Sequence, residues 1–192
     1  YLLDDSRIYF SQISKKGLSD FHEYSLMPEL YKYLEFAPPK NIQDSQTYLE
    51  KLIGRIKESK YKSMYWFIHL KGNHKIIGTL ALLRNTKDIN INLKNYLSNN
   101  QNINFDKLGE VGKGLSPAYW GKGLMSEAMI PYLDFCLKSL NLDMLWSITR
   151  IDNFPNIKLM ERFGFKKKCI IKSFYKNSLG KIHDGQILEK YF

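Results

Sequence analysis

The 192-residue chain carries 29 Lys+Arg against 19 Asp+Glu, a formal charge of +10, with 44% hydrophobic and 14% aromatic residues. That content excludes a disordered or low-complexity class and suffices for a single domain, residues 1–192, with a buried core. No stretch approaches the roughly 20 apolar residues that span a bilayer, no signal peptide is expected at the start, and Cys136 and Cys169 form no CxxC or His/Cys cluster.

A cytoplasmic setting is therefore expected, without membrane, disulfide or metal. The opening "SRIYFSQIS" (6–14) alternates as a strand, and 17–34 reads as one or two short helices broken at Pro28. After a loop at 36–41, the apolar spacing of Tyr48, Leu49, Leu52, Ile53 and Ile56 predicts a helix over 42–60. "MYWFIHL" (64–70) and "IIGTLALLR" (76–84) form a hairpin pattern. Residues 85–107 are Asn-rich and read as an insert or lid between strands. A strand at 108–115 contains Gly112 and Gly114, and a helix (123–140), a strand (144–150) and a helix (153–165) follow. Pro155 sits in the first turn of that last helix and Gly164 at its end, and the residues from 166 onward suit a final hairpin. This order predicts an α/β domain: a central mixed β-sheet flanked by helices.

"AYWGKGLMSEAM" (118–129) places Gly121 and Gly123 where a strand feeds a helix. A helix start offers unpaired N–H groups and the positive end of its dipole to an anion. Glycines let a bulky phosphate approach, Lys122 adds charge, and Ser126 can cap or donate a hydroxyl. The same glycines also suit a plain tight turn. A third glycine for a dinucleotide fingerprint is missing, and no GK[ST] occurs.

Taken together, "LGEVGKGLSPAYWGKGLMSEAM" and "RIDNFPNIKLMERFGF" resemble the GNAT superfamily of acetyl-CoA-dependent N-acetyltransferases, with the RimJ/RimL-like branch the nearest look. The first stretch is similar to the superfamily's pyrophosphate loop, with Trp120 in the first place, Gly123 at the glycine and Met125, a departure, in the last small position. In the second, Asn153 stands at the motif's Asn and Gly164-Phe165 closes it, while Asn156 replaces the usual Ser or Ala. The resemblance spans nearly the whole chain except 85–107 and implies a GNAT-like fold with acetyl-CoA as acyl-donor co-substrate.

It further implies that strands 108–115 and 144–150 splay apart and that pantetheine pairs with backbone from Lys113 to Leu115. Backbone there can polarise the thioester carbonyl. The phosphates would meet Trp120, Gly121, Lys122, Gly123, Leu124, Met125 and Ser126, and Asn153 would hydrogen-bond the pantetheine arm or cap its helix. Transfer to an amine needs a base, and Glu110 is the first candidate; alternation also allows its side chain to face solvent. His183 with Asp184 is the second candidate, against a plain turn before the last strand. His22, His69 and His74 show no partner spacing. Many relatives carry a Tyr acid where this chain has Met160, which cannot donate a proton, so Ser116, Tyr119 or solvent would have to serve.

The early helices and final hairpin would line the acceptor pocket with aromatics such as Tyr24, Tyr31 and Phe174. The expected acceptor is a primary amine: a protein N-terminus, an amino sugar or a small metabolite, with the positive charge leaning toward an acidic one. The alternatives are a non-catalytic acyl-CoA-binding sensor and a basic nucleic-acid-binding domain. The second is not expected, since the lysines are diffuse rather than clustered with arginines. A monomer or homodimer is compatible with all three.

Overall fold

A computed structural model describes residues 6–84 and 104–192. The Asn-rich insert lies largely outside the described residues.

The elements run β1 (Ile8–Gln12), α1 (Leu18–Ser25), α2 (Ile42–Glu58), β2 (Met64–Leu70), β3 (Ile76–Leu83), β4 (Leu108–Leu115), α3 (Leu124–Asp134), β5 (Met144–Arg150), α4 (Phe154–Arg162), β6 (Lys166–Lys176) and β7 (Ile182–Tyr191). They match the sequence expectation closely. The 17–34 segment does break at Pro28, which begins a short 3-10 turn after α1. Asn41 caps α2 by accepting the Asp44 N–H, and Leu49, Leu52 and Ile56 bury its apolar stripe. One refinement concerns the helix expected at 123–140: past Asp134 its ladder widens into a π turn over Phe135–Ser139, where Leu140 N–H reaches the Phe135 carbonyl. Among the described residues no helix is long and apolar enough to cross a membrane.

One seven-stranded sheet takes the order β1-β2-β3-β4-β5-β7-β6. Every neighbouring pair is antiparallel except β4 and β5. Helices cover both faces. α3 and α4 seal one core with Met129, Ile157 and Met160 against Leu80, Val111 and Leu145. α1 and α2 seal the other with Phe21, Leu49 and Leu52 against Phe67. Each such buried side chain contributes about 1.5–3 kcal/mol, so both faces hold the sheet firmly while its middle opens.

That opening lies between β4 and β5. They pair only at Leu108–Met144, Gly109–Leu145 and Glu110–Trp146. Beyond these, β4 stays bonded to β3 as far as Leu115, and β5 to β7 as far as Arg150. The result is a wedge that widens from Glu110 toward the end of the sheet where α3 begins.

β3 and β4 approach closely at the mouth of the wedge. A Cβ on Gly78 would lie 2.4 Å from the Gly114 carbonyl oxygen and 3.1 Å from Leu115 Cα. Backbone atoms cannot yield as a flexible side chain does. Gly78→Ala should therefore cost about 1–3 kcal/mol through overpacking, seen as a Tm lower by several degrees; an unchanged Tm would show that β4 can shift freely.

Candidate active site

Ser116 donates its N–H to the Ile77 carbonyl at 2.7 Å, so it faces β3. Strand alternation then turns the peptides of Gly114 and Gly112 to β3, and those of Val111, Lys113 and Leu115 into the wedge. Two contacts agree. The Val111 carbonyl accepts the Ser147 hydroxyl at 3.4 Å, and the Leu115 carbonyl accepts the Trp120 indole N–H at 2.6 Å. The N–H groups of Lys113 and Leu115 thus point at the opening, the two positions expected to pair with pantetheine. A ligand with an extended polar backbone could satisfy them as a strand would.

Immediately beyond, residues 117–119 form a 3-10 turn and the chain enters α3 through glycines with φ of 73° at Gly121 and 77° at Gly123. Gly123 is the N-cap and has no side chain to serve the first amides of α3. A Cβ on Gly121 would meet no protein atom within 4 Å. The departure at Met125 finds its explanation here: its side chain packs against the α3–α4 core, which leaves its N–H for the loop. Leu124 is likewise buried. Lys122 Nζ lies over the Tyr119 ring at 5.2 Å from its centre. These open glycines and uncapped amides fit the phosphates of CoA, as the free edge of β4 fits its pantetheine.

Sequence reasoning missed Arg7, which stands just before β1. Its guanidinium pairs with Glu127 Oε2 at 2.8 Å, and Nη2 lies 3.6 Å from where a Gly123 Cβ would sit. The contact spans 120 residues, so only the sheet order creates it. The Arg7 contacts and the Ser6 hydroxyl hold the Glu127 carboxyl below its usual range, outweighing partial burial.

On the α1–α2 face, Glu110 marks the apex of the wedge. It lies deep in the cleft, crowded by protein yet still reached by solvent. Burial raises its pKa to about 7, only partly offset by Arg55 of α2. It therefore does not form a simple surface pair. Its charge is felt by Tyr175 of β6, whose phenol burial already pushes well up, and Tyr175 sits opposite His183 in the β6–β7 register. The Nε2 of His183 is buried without a hydrogen-bond partner among the described residues. Asp184 turns away to Lys172 at 2.8 Å and the Ser173 N–H at 3.0 Å. Arg150, buried at the end of β5, binds Asp152 and donates to the Lys32 carbonyl at 2.9 Å, fixing the segment after α1 over the cleft.

Asn153 caps α4: its Oδ1 accepts the Asn156 N–H at 3.3 Å and its Nδ2 donates to Thr149 at 3.2 Å. Ser116 is buried, its hydroxyl directed at Met27 Sδ, 3.6 Å away. His22 pairs with the Ser45 hydroxyl, His69 with the Ser11 hydroxyl and His74 with the Tyr9 hydroxyl, all outside the wedge. β4 thus carries Glu110 at the apex of the wedge and the Lys113 and Leu115 peptides along it, and leads into the 120–126 loop.

A profile of the acetyltransferase (GNAT) domain matches residues 7–166. Uncharacterized N-acetyltransferase p20 of Bacillus licheniformis is 24% identical over 162 residues, 84% of this chain and 80% of that protein. Among solved structures, microcin C7 self-immunity acetyltransferase MccE, in complex with acetyl-CoA and AMP, superposes with a TM-score of 0.78 at 17% identity, covering 98% of this chain and 94% of that one. The ribosomal-protein-S5-alanine acetyltransferase of Vibrio fischeri gives 0.76 at 19% identity, covering 98% and 95%.

A side chain added at Gly121 would meet no protein atom within 4 Å. If the open start of α3 takes the CoA phosphates, Gly121→Asp should weaken CoA binding by at least about 10-fold, since it adds like charge and a strained φ there. Calorimetric titration with CoA checks this. Unchanged affinity would leave the glycines as a turn and nothing more.

Proposed function

The chain belongs to the acetyltransferase (GNAT) family, and on that premise we propose that it moves the acetyl group of acetyl-CoA directly onto a primary amine, with Glu110 as the base. The observation that carries this reading is the wedge itself. It opens at Glu110, offers two N–H groups on β4 that have no partner among the described residues, and leads straight to an uncapped helix start. Acetyl-CoA supplies an activated acyl group on a sulfur leaving group; the protein's task is to place it and to manage protons.

The 120–126 loop would hold the phosphates, with Lys122 and Arg7 adding positive charge at the rim. The Lys113 and Leu115 amides would align the pantetheine arm and direct an N–H toward the thioester carbonyl. Asn153 is already engaged as a helix cap, so its contribution to the arm would use the remaining valences of its amide. An amine attacks only when neutral, and Glu110, deep in the cleft, would accept the proton directly or through one water. A carboxyl with a pKa of about 7 is matched to that task near neutral pH. His183 stands as the second candidate, because its buried Nε2 faces no protein acceptor or donor among the described residues.

The acceptor enters from the α1–α2 face, past Tyr31, Phe36 and Tyr48, whose rings touch one another. Lys172, Lys176 and Lys181 lie on β6 and the adjoining turn that leads to β7. With a chain charge of +10, this rim favours a primary amine carried on an acidic body. The Trp120-containing loop and the likeness to a ribosomal-protein acetyltransferase support placement in the RimJ/RimL-like branch. Acetyl-CoA-dependent thiol release should appear with one acceptor class in a panel of acidic and neutral peptides, amino sugars and polyamines. Release with neutral and acidic acceptors alike would remove the charge preference, and release with none would sink the catalytic reading.

Glu110→Gln should lower kcat by about 10²-fold and erase the acid limb, the loss of rate as pH falls through about 7. The same substitution has a stability signature. The folded pKa lies above the ordinary carboxylate value, so the wild-type fold loses stability as pH rises through that interval. The Gln variant should therefore melt above wild type in alkaline buffer and level with it in acid. A variant that keeps the acid limb of kcat shows that another group is the base.

A further inference from the structure

The site so far contains a base beside the acceptor and no partner for the departing sulfur. Lys113 lies three residues along β4 from Glu110, so its side chain leaves the opposite face of the sheet. Its Nζ donates to Met160 Sδ of α4 at 3.0 Å. The peptide of Lys113 faces the wedge from β4, and Met160 is fully buried on the helix that follows β5, so the two together border the wedge on this face. Among the described residues, that thioether is the hydrogen-bond acceptor on the ammonium, and a thioether is a weak one. A cation set so deep without a counter-charge is costly; the position suits an anion that arrives with a ligand.

We propose that Lys113 donates the proton that converts the leaving CoA thiolate to the thiol, an assignment that rests on the acetyl-transfer reading above. As the acyl C–S bond breaks, the sulfur keeps the bonding pair and takes one proton from the ammonium, leaving CoA thiol and a neutral lysine. Glu110 takes one proton from the acceptor nitrogen, and both groups regain their starting states by exchange with solvent. An ammonium that rests on a thioether can pass to a nearby thiolate, replacing a weak acceptor by a charged one.

The electrostatics agree with the geometry. Desolvation lowers the pKa of Lys113 to about 7, below the roughly 8.5 of an ordinary thiol, so the transfer runs downhill. No carboxylate of β3, β5, α3 or α4 offsets that burial among the described residues. Leu80 stands opposite on β3, Met160 on α4, and the titratable groups that α3 and the π turn after it contribute to this core, Tyr132 and Cys136, are both pushed toward their neutral forms. The charged groups at the mouth are Lys122 and the Arg7–Glu127 ion pair, in which the two charges offset each other.

Lys113→Met keeps the length of the side chain and removes its proton. Free CoA, which needs no acceptor, is titrated into wild type and variant while the ultraviolet thiolate band is followed across pH. In wild type, as in Lys113→Met, the bound thiol should ionise no earlier than the free thiol, because the ammonium loses its own proton first. In turnover the variant should lose about 10²-fold in kcat with the KM for acetyl-CoA little changed. It should also lose the alkaline limb, the fall in kcat as pH rises through about 7. Lys113→Arg, whose guanidinium cannot give up its proton, should instead draw the thiol ionisation about 1–3 pH units below the free thiol without restoring kcat. A thiolate band in Lys113→Arg no lower in pH than in wild type, or a kcat of Lys113→Met within about twofold with the alkaline limb intact, overturns the assignment. Failure of wild type to bind CoA at all overturns the reading of the site, and this inference with it.

Discussion

β4 and β5 share hydrogen bonds at Leu108–Met144, Gly109–Leu145 and Glu110–Trp146 and then part, leaving polar backbone bare in the middle of a sheet. Each buried peptide group left unpaired costs about 1–3 kcal/mol, so an open seam is tolerated only where water or a ligand can reach it. The strands cannot simply close, because each is held on its other side: β4 by β3 as far as Leu115, and β5 by β7 as far as Arg150. Two separate apolar cores, one on each face, keep those outer ladders fixed. The seam is thus a rigid feature, and a ligand that mimics a strand can add its bonds without reorganising the protein.

The same seam sets the electrostatics. Glu110 and Lys113 leave β4 on opposite faces, and burial dominates both, raising the carboxyl and lowering the ammonium toward neutrality. Among the described residues, Arg55 offsets the burial of Glu110 only in part, and Lys113 rests on a sulfur. A surface ion pair such as Lys15–Glu50 shows the contrast, since there the carboxyl is held low and charged by its partner. Groups poised near neutrality are destabilising to the fold and useful to proton transfer, and this strand carries two of them on either side of the channel.

Much of the molecule was legible in the chain. Alternation marked β1, the hairpin pattern marked β2 and β3, the apolar spacing of Leu49, Leu52 and Ile56 marked α2, and the glycines at 121 and 123 marked the entry to α3. Lys113 and Leu115 were expected to present backbone to a ligand, and register places both peptides at the wedge. What stayed hidden depends on which distant elements meet. Nothing local places β7 between β5 and β6, or brings Arg7 to Glu127. The orientation of Met125 follows from core packing that its neighbours in sequence do not reveal. For Lys113, spacing located the peptide but not the ammonium, because its partner Met160 lies 47 residues away on another helix. The role of Met160 as a sulfur contact is invisible to periodicity, which reads it only as core.

On the proposed reading, acetyl-CoA completes the bare edge of β4 as a strand would. Amide hydrogen exchange of the full chain, with and without acetyl-CoA, tests it most directly, because the wedge-facing and β3-facing amides of one strand serve as probe and control. The Lys113 and Leu115 amides should exchange fast alone and become protected on binding, together with the first amides of α3. Gly112 and Gly114, bonded to β3, should be protected in both states. Saturating acetyl-CoA that leaves Lys113 and Leu115 unprotected, or that protects a different surface, would contradict the account.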